Sequence, residues 1–127
     1  MTLVELSVVI IVLLAFISML FIGARAWKRG SDRAGCIMNI RQVQMAVRGY
    51  SNSNHLEVGD YMTLLGPTEV PGKAVIGAGN YLERIQGCPG MGMYNIHGNR
   101  VPPIGTLYLT CSLQEAEMHV PETFGTW

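Results

Sequence analysis

Three cysteines, three histidines and one early carboxylate are the side chains with distinctive chemistry in this 127-residue chain. Cys36, Cys88 and Cys111 allow three single-disulfide pairings, each leaving one thiol over. His55, His97 and His119 stand far apart, with no HxxxH or CxxC spacing among the ligand candidates. No metal site is therefore expected, and the histidines read as surface or loop residues. Glu115, Glu117 and Glu122 form a small acidic group that reads as a solvated face. No Ser/His/Asp set, phosphate-cradling glycine loop or paired catalytic carboxylate emerges. The expectation is no catalytic residue, no cofactor and no enzyme. Glu5 is the unusual group. It is the one charge among residues 1–24, of which 19 are hydrophobic. A carboxylate inside such a run is costly unless something pairs with it or it stays near water.

The elements that position these groups follow from where the helix breakers fall. Residues 2–54 contain no proline, all six prolines lie at or after Pro67, and ten of the fifteen glycines fall between Gly59 and Gly105. The long helix must therefore be N-terminal and the rest turn-rich. Residues 6–24 are uncharged and apolar on all sides. At 1.5 Å per residue they span about 28 Å, close to the ~30 Å hydrocarbon core of a bilayer. Beyond Arg25, Cys36, Ile40, Val43, Val47 and Tyr50 recur at spacings of four, three, four and three, with Arg41, Gln42, Gln44 and Arg48 largely between them. That is an amphipathic stripe. Ser51 to Asn54 reads as the stop. One helix of about 52 residues, roughly 78 Å long, is the simplest reading.

Three segments result: residues 1–24, a transmembrane or shared-core half-helix; residues 25–54, its amphipathic continuation; and residues 55–127, a small loop-rich β domain covering the stripe. Within the last, Tyr61–Leu65 reads as a short strand or helix turn. Asn80–Ile85 reads as a short helix capped by Asn80. Met93–Ile96 and Thr106–Thr110 read as strands. The fold class is α+β, a long helix on a small antiparallel sheet. The formal charge of zero hides six basic and two acidic groups in residues 1–50, against three and seven in residues 51–127. With no basic excess overall, nucleic acid is not an expected partner.

The opening MTLVELSVVIIVLLAFISMLF resembles the mature N-terminus of type IV pilins and type II secretion pseudopilins, on Met1, Thr2, Leu3, Glu5 and Leu6. The segments GCIMNIRQVQMAVRGYSNSN, CPGMGMYNIHG and LTCS are similar to those of small pseudopilin-like proteins with two-cysteine tails. The resemblance implies the pilin fold. It implies leader removal by a prepilin peptidase and methylation of the Met1 amine. It implies storage in the inner membrane, then assembly into a helical homo-oligomer by pilus or secretion machinery. Glu5 is implied to pair with the Met1 amine of a neighbouring subunit and so to set the register. Leu3, Leu6, Ile10, Leu13 and Phe21 are plausible filament-core packing positions. Ile22 and Leu14 stand where many members carry proline and glycine, which favours an intact helix over one that melts near Ser18–Gly23. Arg25, Lys28, Arg29 and Arg33 follow the apolar run. By charge alone they would place that end in the cytoplasm, whereas the resemblance implies the reverse.

An oxidising compartment then favours one disulfide. Cys88–Cys111 is the preferred pairing. Both residues lie in the loop-rich part and bracket the expected strands, and the resemblance points the same way. Closing that loop is worth roughly 3.5 kcal/mol in the chain-entropy account. Cys36 is expected as a buried free thiol on the stripe. The expected function is a structural subunit of a type IV pilus-like extracellular filament. The alternatives are a type II secretion pseudopilin in a periplasmic pseudopilus, or an anchored protein that never polymerises.

Overall fold

The computed structural model describes residues 2–66 and 72–127. Its architecture is α+β: helix α1 at Leu3–Ser53, then strands β1 at Tyr94–Ile96 and β2 at Leu109–Cys111. The helix is continuous through Ser18–Gly23. The chain divides into two compact units, Met1–Ser31 and Asp32–Trp127.

In the first unit, α1 opens on a reciprocal cap. The Glu5 backbone N–H donates to Thr2 Oγ1 at 3.4 Å, and the Glu5 carboxylate accepts from the Thr2 N–H at 2.9 Å. A T-x-x-E capping box of this kind satisfies two N–H groups that the first turn leaves unpaired. From Leu3 to Ile22 every large hydrophobic side chain is exposed.

In the second unit the amphipathic stripe does what its spacing requires. Cys36, Ile40, Val43, Val47 and Tyr50 are all buried, against Met62, Leu64, Val75, Ile76, Val101, Leu107, Tyr108 and Leu109. The helix ends where expected, by a Schellman arrangement. Leu56 N–H donates to Ser51 O at 2.9 Å and His55 N–H to Asn52 O at 3.4 Å. His55 sits in the left-handed region at φ 52°, where glycine is the usual residue. His55→Gly is therefore expected to stabilise the fold by about 0.5–1 kcal/mol. Thermal unfolding of the full chain in detergent micelles checks this as a small rise in Tm.

Two local expectations are corrected. Asn80–Ile85 is not a helix. Leu82 pairs with Ile76 in an isolated bridge, and the Asn80 carboxamide oxygen accepts from the Gly72 N–H at 2.7 Å instead of capping a turn. Six residues are too few to hold a helix without tertiary support, and here Tyr81 packs edge-on against Tyr50 instead. The second strand also begins later than Thr106. The antiparallel register is Tyr94↔Cys111, Asn95↔Thr110 and Ile96↔Leu109.

Gln44, which the stripe assigned to the polar side, is 1% exposed and bears on where β2 begins. Its Oε1 accepts from Tyr108 N–H at 2.9 Å and its Nε2 donates to Thr106 O at 3.0 Å. Those two backbone groups are committed to a helix side chain, so the ladder starts beyond them. Arg48 acts similarly, donating to the backbone oxygens of Pro102, Pro103 and Trp127 at 2.7–3.0 Å. Burial lowers its pKa.

Candidate functional site

Two regions carry the chemistry. The first is the apolar half of α1. The helix is long and apolar enough to cross a membrane, and none of its most apolar 18-residue window is buried. Leu3, Leu6, Ile10, Leu13 and Phe21 are all exposed there, as is Trp27 beyond it. Glu5 lies in the first turn, held by Thr2. The T-x-x-E spacing that signals this cap was present in the sequence. Met1 lies outside the described residues.

The second region is a buried cluster of Cys36, Cys88, Cys111 and His119, within the unit that starts at Asp32. Their three sulfurs and one imidazole nitrogen all lie within 4.8 Å of one another. Cys88 Sγ and Cys111 Sγ are 3.8 Å apart. His119 Nδ1 lies 3.3 Å from Cys88 Sγ and 4.0 Å from Cys111 Sγ. These four are the side chains that could hold a metal ion among the described residues.

Each of the four atoms arrives from a different part of the chain. Cys36 comes from the buried stripe of α1. Cys88 precedes the Pro89–Gly92 turn, which closes by Met91 N–H to Cys88 O at 3.0 Å. Cys111 ends β2. His119 follows a chain reversal in which its own N–H donates to Leu113 O at 3.3 Å. Met91, three residues after Cys88, and Met118, next to His119, hold left-handed backbone at φ 62° and 54°. Such positions are uncommon for residues other than glycine, asparagine or aspartate.

Three sequence-based expectations change here. Cys88 and Cys111 are adjacent, as preferred, but all three cysteines are free thiols. A disulfide needs sulfurs at ~2.04 Å, and here three sulfurs share one pocket rather than two pairing off. Cys36 is buried as expected, yet it is not alone. His119 is not a surface residue: it is fully buried. The acidic group is only partly a bland face. Glu117 Oε2 lies 3.4 Å from His119 Nε2, and Glu122 pairs with Arg33 at 3.1 Å. That second pair is worth little, because both side chains are substantially exposed. His97 matches its expectation, exposed and 3.0 Å from Thr110 Oγ1.

The cluster polarises its own thiols. Burial pushes Cys36 up to about 12, with the neighbouring Cys88 and Cys111 adding to the rise and the Tyr94 hydroxyl opposing it. For Cys88, burial acts upward. It is outweighed by hydrogen bonds from the Gly92 and Gly90 backbone and from the Cys36 and Cys111 thiols, which leave it below the ordinary thiol value. The Tyr94 hydroxyl, which donates to Cys36 Sγ at 3.5 Å, is itself raised, by burial first and then by that contact.

Close backbone approach is built into the site. A Cβ at Gly92 would lie 2.6 Å from Cys111 Sγ and 3.1 Å from Leu113, and one at Gly90 would lie 2.8 Å from His119 Cε1. Gly92→Ala is therefore expected to cost about 1–3 kcal/mol by overpacking. Gly87→Ala, where a Cβ meets nothing within 4 Å, is expected to leave Tm nearly unchanged. Parallel melts of the two variants check this.

No family model, curated protein or solved structure matches the chain. The fold itself, one long apolar N-terminal helix with a small antiparallel sheet, is compatible with a pilin-like arrangement.

Proposed function

We propose that this chain is a structural subunit of a type IV pilus-like filament, held in the inner membrane before assembly and then polymerised through α1. The observation that carries the reading is the exposed apolar surface from Leu6 to Ile22, set against a second unit that buries its own core. An apolar surface this continuous requires a lipid or protein cover. In the proposed sequence, lipid covers it first and neighbouring helices later. Prepilin peptidase processing and methylation at Met1 belong to the proposal, as does a pairing of Glu5 with a neighbour's Met1 amine. A periplasmic pseudopilus uses the same subunit design, and long surface filaments on cells distinguish the pilus from it.

One observation favours a second reading, a membrane-anchored protein that does not polymerise. Thr2 already satisfies Glu5 within its own chain, so Glu5 has a role without a neighbour. Two variants separate the readings. Loss of an N-cap side chain costs about 0.5–2 kcal/mol, and Thr2→Ala and Glu5→Ala each remove one of the two capping bonds, so a capping role predicts mild effects of both. An assembly role predicts that Glu5→Ala abolishes filaments while membrane abundance holds, and that Thr2→Ala leaves filaments. Electron microscopy of sheared surface fractions reads the difference. A Met1 without methylation in the mature protein counts against processing.

A further inference from the structure

We infer that Cys36, Cys88, Cys111 and His119 form a structural zinc site that ties α1, the Pro89–Gly92 turn, β2 and the His119 segment into one unit.

Three of the six edges match a closed tetrahedral shell, and the three from Cys36 Sγ lie within 4.8 Å. Zinc binds thiolate sulfur at ~2.3 Å and imidazole nitrogen at ~2.0–2.1 Å, so the edges of a Cys3His tetrahedron are about 3.8 Å for S···S and about 3.5 Å for S···N. The Cys88–Cys111 edge is 3.8 Å. The edges from His119 Nδ1 to Cys88 and Cys111 are 3.3 and 4.0 Å. Sulfur-rich donor sets select zinc over calcium or magnesium. Four protein ligands leave no open position, which is the mark of a structural rather than a catalytic centre.

The surroundings are arranged for a charged cluster. Three thiolates and one Zn²⁺ carry a net charge of minus one, which needs donors around it. Tyr94 donates to Cys36, and Asn39 Nδ2 in turn donates to the Tyr94 hydroxyl at 3.1 Å. His119 Nε2 is buried without a hydrogen-bond partner, although Glu117 Oε2 stands 3.4 Å away. Binding through Nδ1 puts the ring proton on Nε2, 3.4 Å from that carboxylate. Metal-bound histidines are commonly oriented and made more basic by such a partner. Binding converts three thiols to thiolates and releases their protons to solvent, with no change of oxidation state.

The competing fate of these residues is a Cys88–Cys111 disulfide, which would use two sulfurs and leave Cys36 and His119 buried with nothing to bind. The site lies wholly within the unit that starts at Asp32, so it does not depend on the filament reading.

The test uses the full chain, purified in detergent micelles with zinc present and no chelator. Native mass spectrometry is expected to show one zinc per chain, and thiol alkylation after denaturation in chelator is expected to label all three cysteines. Cobalt(II) added to metal-stripped protein is expected to give the visible absorption of a tetrahedral thiolate complex, a readout that needs no mutation. Glu117→Gln, at a half-exposed position that should not disturb folding, is expected to weaken zinc binding by about 10–100-fold. A metal-free chain with a Cys88–Cys111 disulfide overturns the proposal. So does zinc retained with unchanged affinity in a folded Cys36→Ser or His119→Ala variant, which would mark the ion as adventitious.

Discussion

Ile10→Asp combined with Leu13→Asp is expected to release the chain from membranes, while either substitution alone leaves it bound. Fifteen of the residues from Leu3 to Ile22 are Leu, Ile, Val or Phe. At about −0.3 to −0.6 kcal/mol each on an insertion scale, they favour the bilayer by roughly 4.5–9 kcal/mol. One aspartate near the centre costs about 2.5–3.5 kcal/mol, which this surplus absorbs. Two cost roughly 5–7 kcal/mol and also remove two favourable residues, so the balance centres on zero, between about 3 kcal/mol for the bilayer and about 3 kcal/mol against it. Flotation of the full chain with lipid vesicles checks it. If the double variant floats as well as the parent, the apolar half of α1 does not hold the protein in lipid.

Gln44→Leu is expected to lower the stability of the second unit by about 2–4 kcal/mol. The side chain is nearly isosteric, so lost packing is small and the effect isolates two hydrogen bonds. Tyr108 N–H loses its acceptor in a fully buried setting, and an unsatisfied buried donor costs about 1–3 kcal/mol. Thr106 O loses its donor in a partly solvated one and costs less, because water reaches it. A domain of this size has only about 5–15 kcal/mol in total, so the loss is a large fraction. Gln44→Glu keeps the acceptor for Tyr108 but sets an anion beside the Thr106 carbonyl. Its effect is expected to equal or exceed that of leucine, because a buried unpaired charge is worse than an absent one. Thermal and denaturant unfolding of the full chain in micelles give both values.

Gln44 also marks where sequence reasoning stops. The stripe from Cys36 to Tyr50 was legible because helical periodicity is local, and each of its five residues is buried as the spacing requires. Gln44 lies next to that stripe, and its polarity placed it on the wet side. Its burial comes from two backbone groups 62 and 64 positions away, which no local pattern reports. The late start of β2 follows from the same two bonds. Likewise, His119 looked like an isolated loop histidine. Its neighbours in space are 8, 31 and 83 residues earlier in the chain, so no ligand motif could show the cluster. The preference for Cys88 beside Cys111 found the right proximity, but both are free thiols here, in a pocket shared with Cys36 and His119.

The residue pattern alone determined the helix extent, its apolar first half, its one-sided second half and its stop near Ser53. These depend on composition and short-range spacing, which the helix reads directly. Tertiary structure decided which polar side chains went inside, where the sheet began and which sulfurs met. Those outcomes depend on what packs across from each residue, and chain closure over tens of residues brings together groups that the linear order keeps apart.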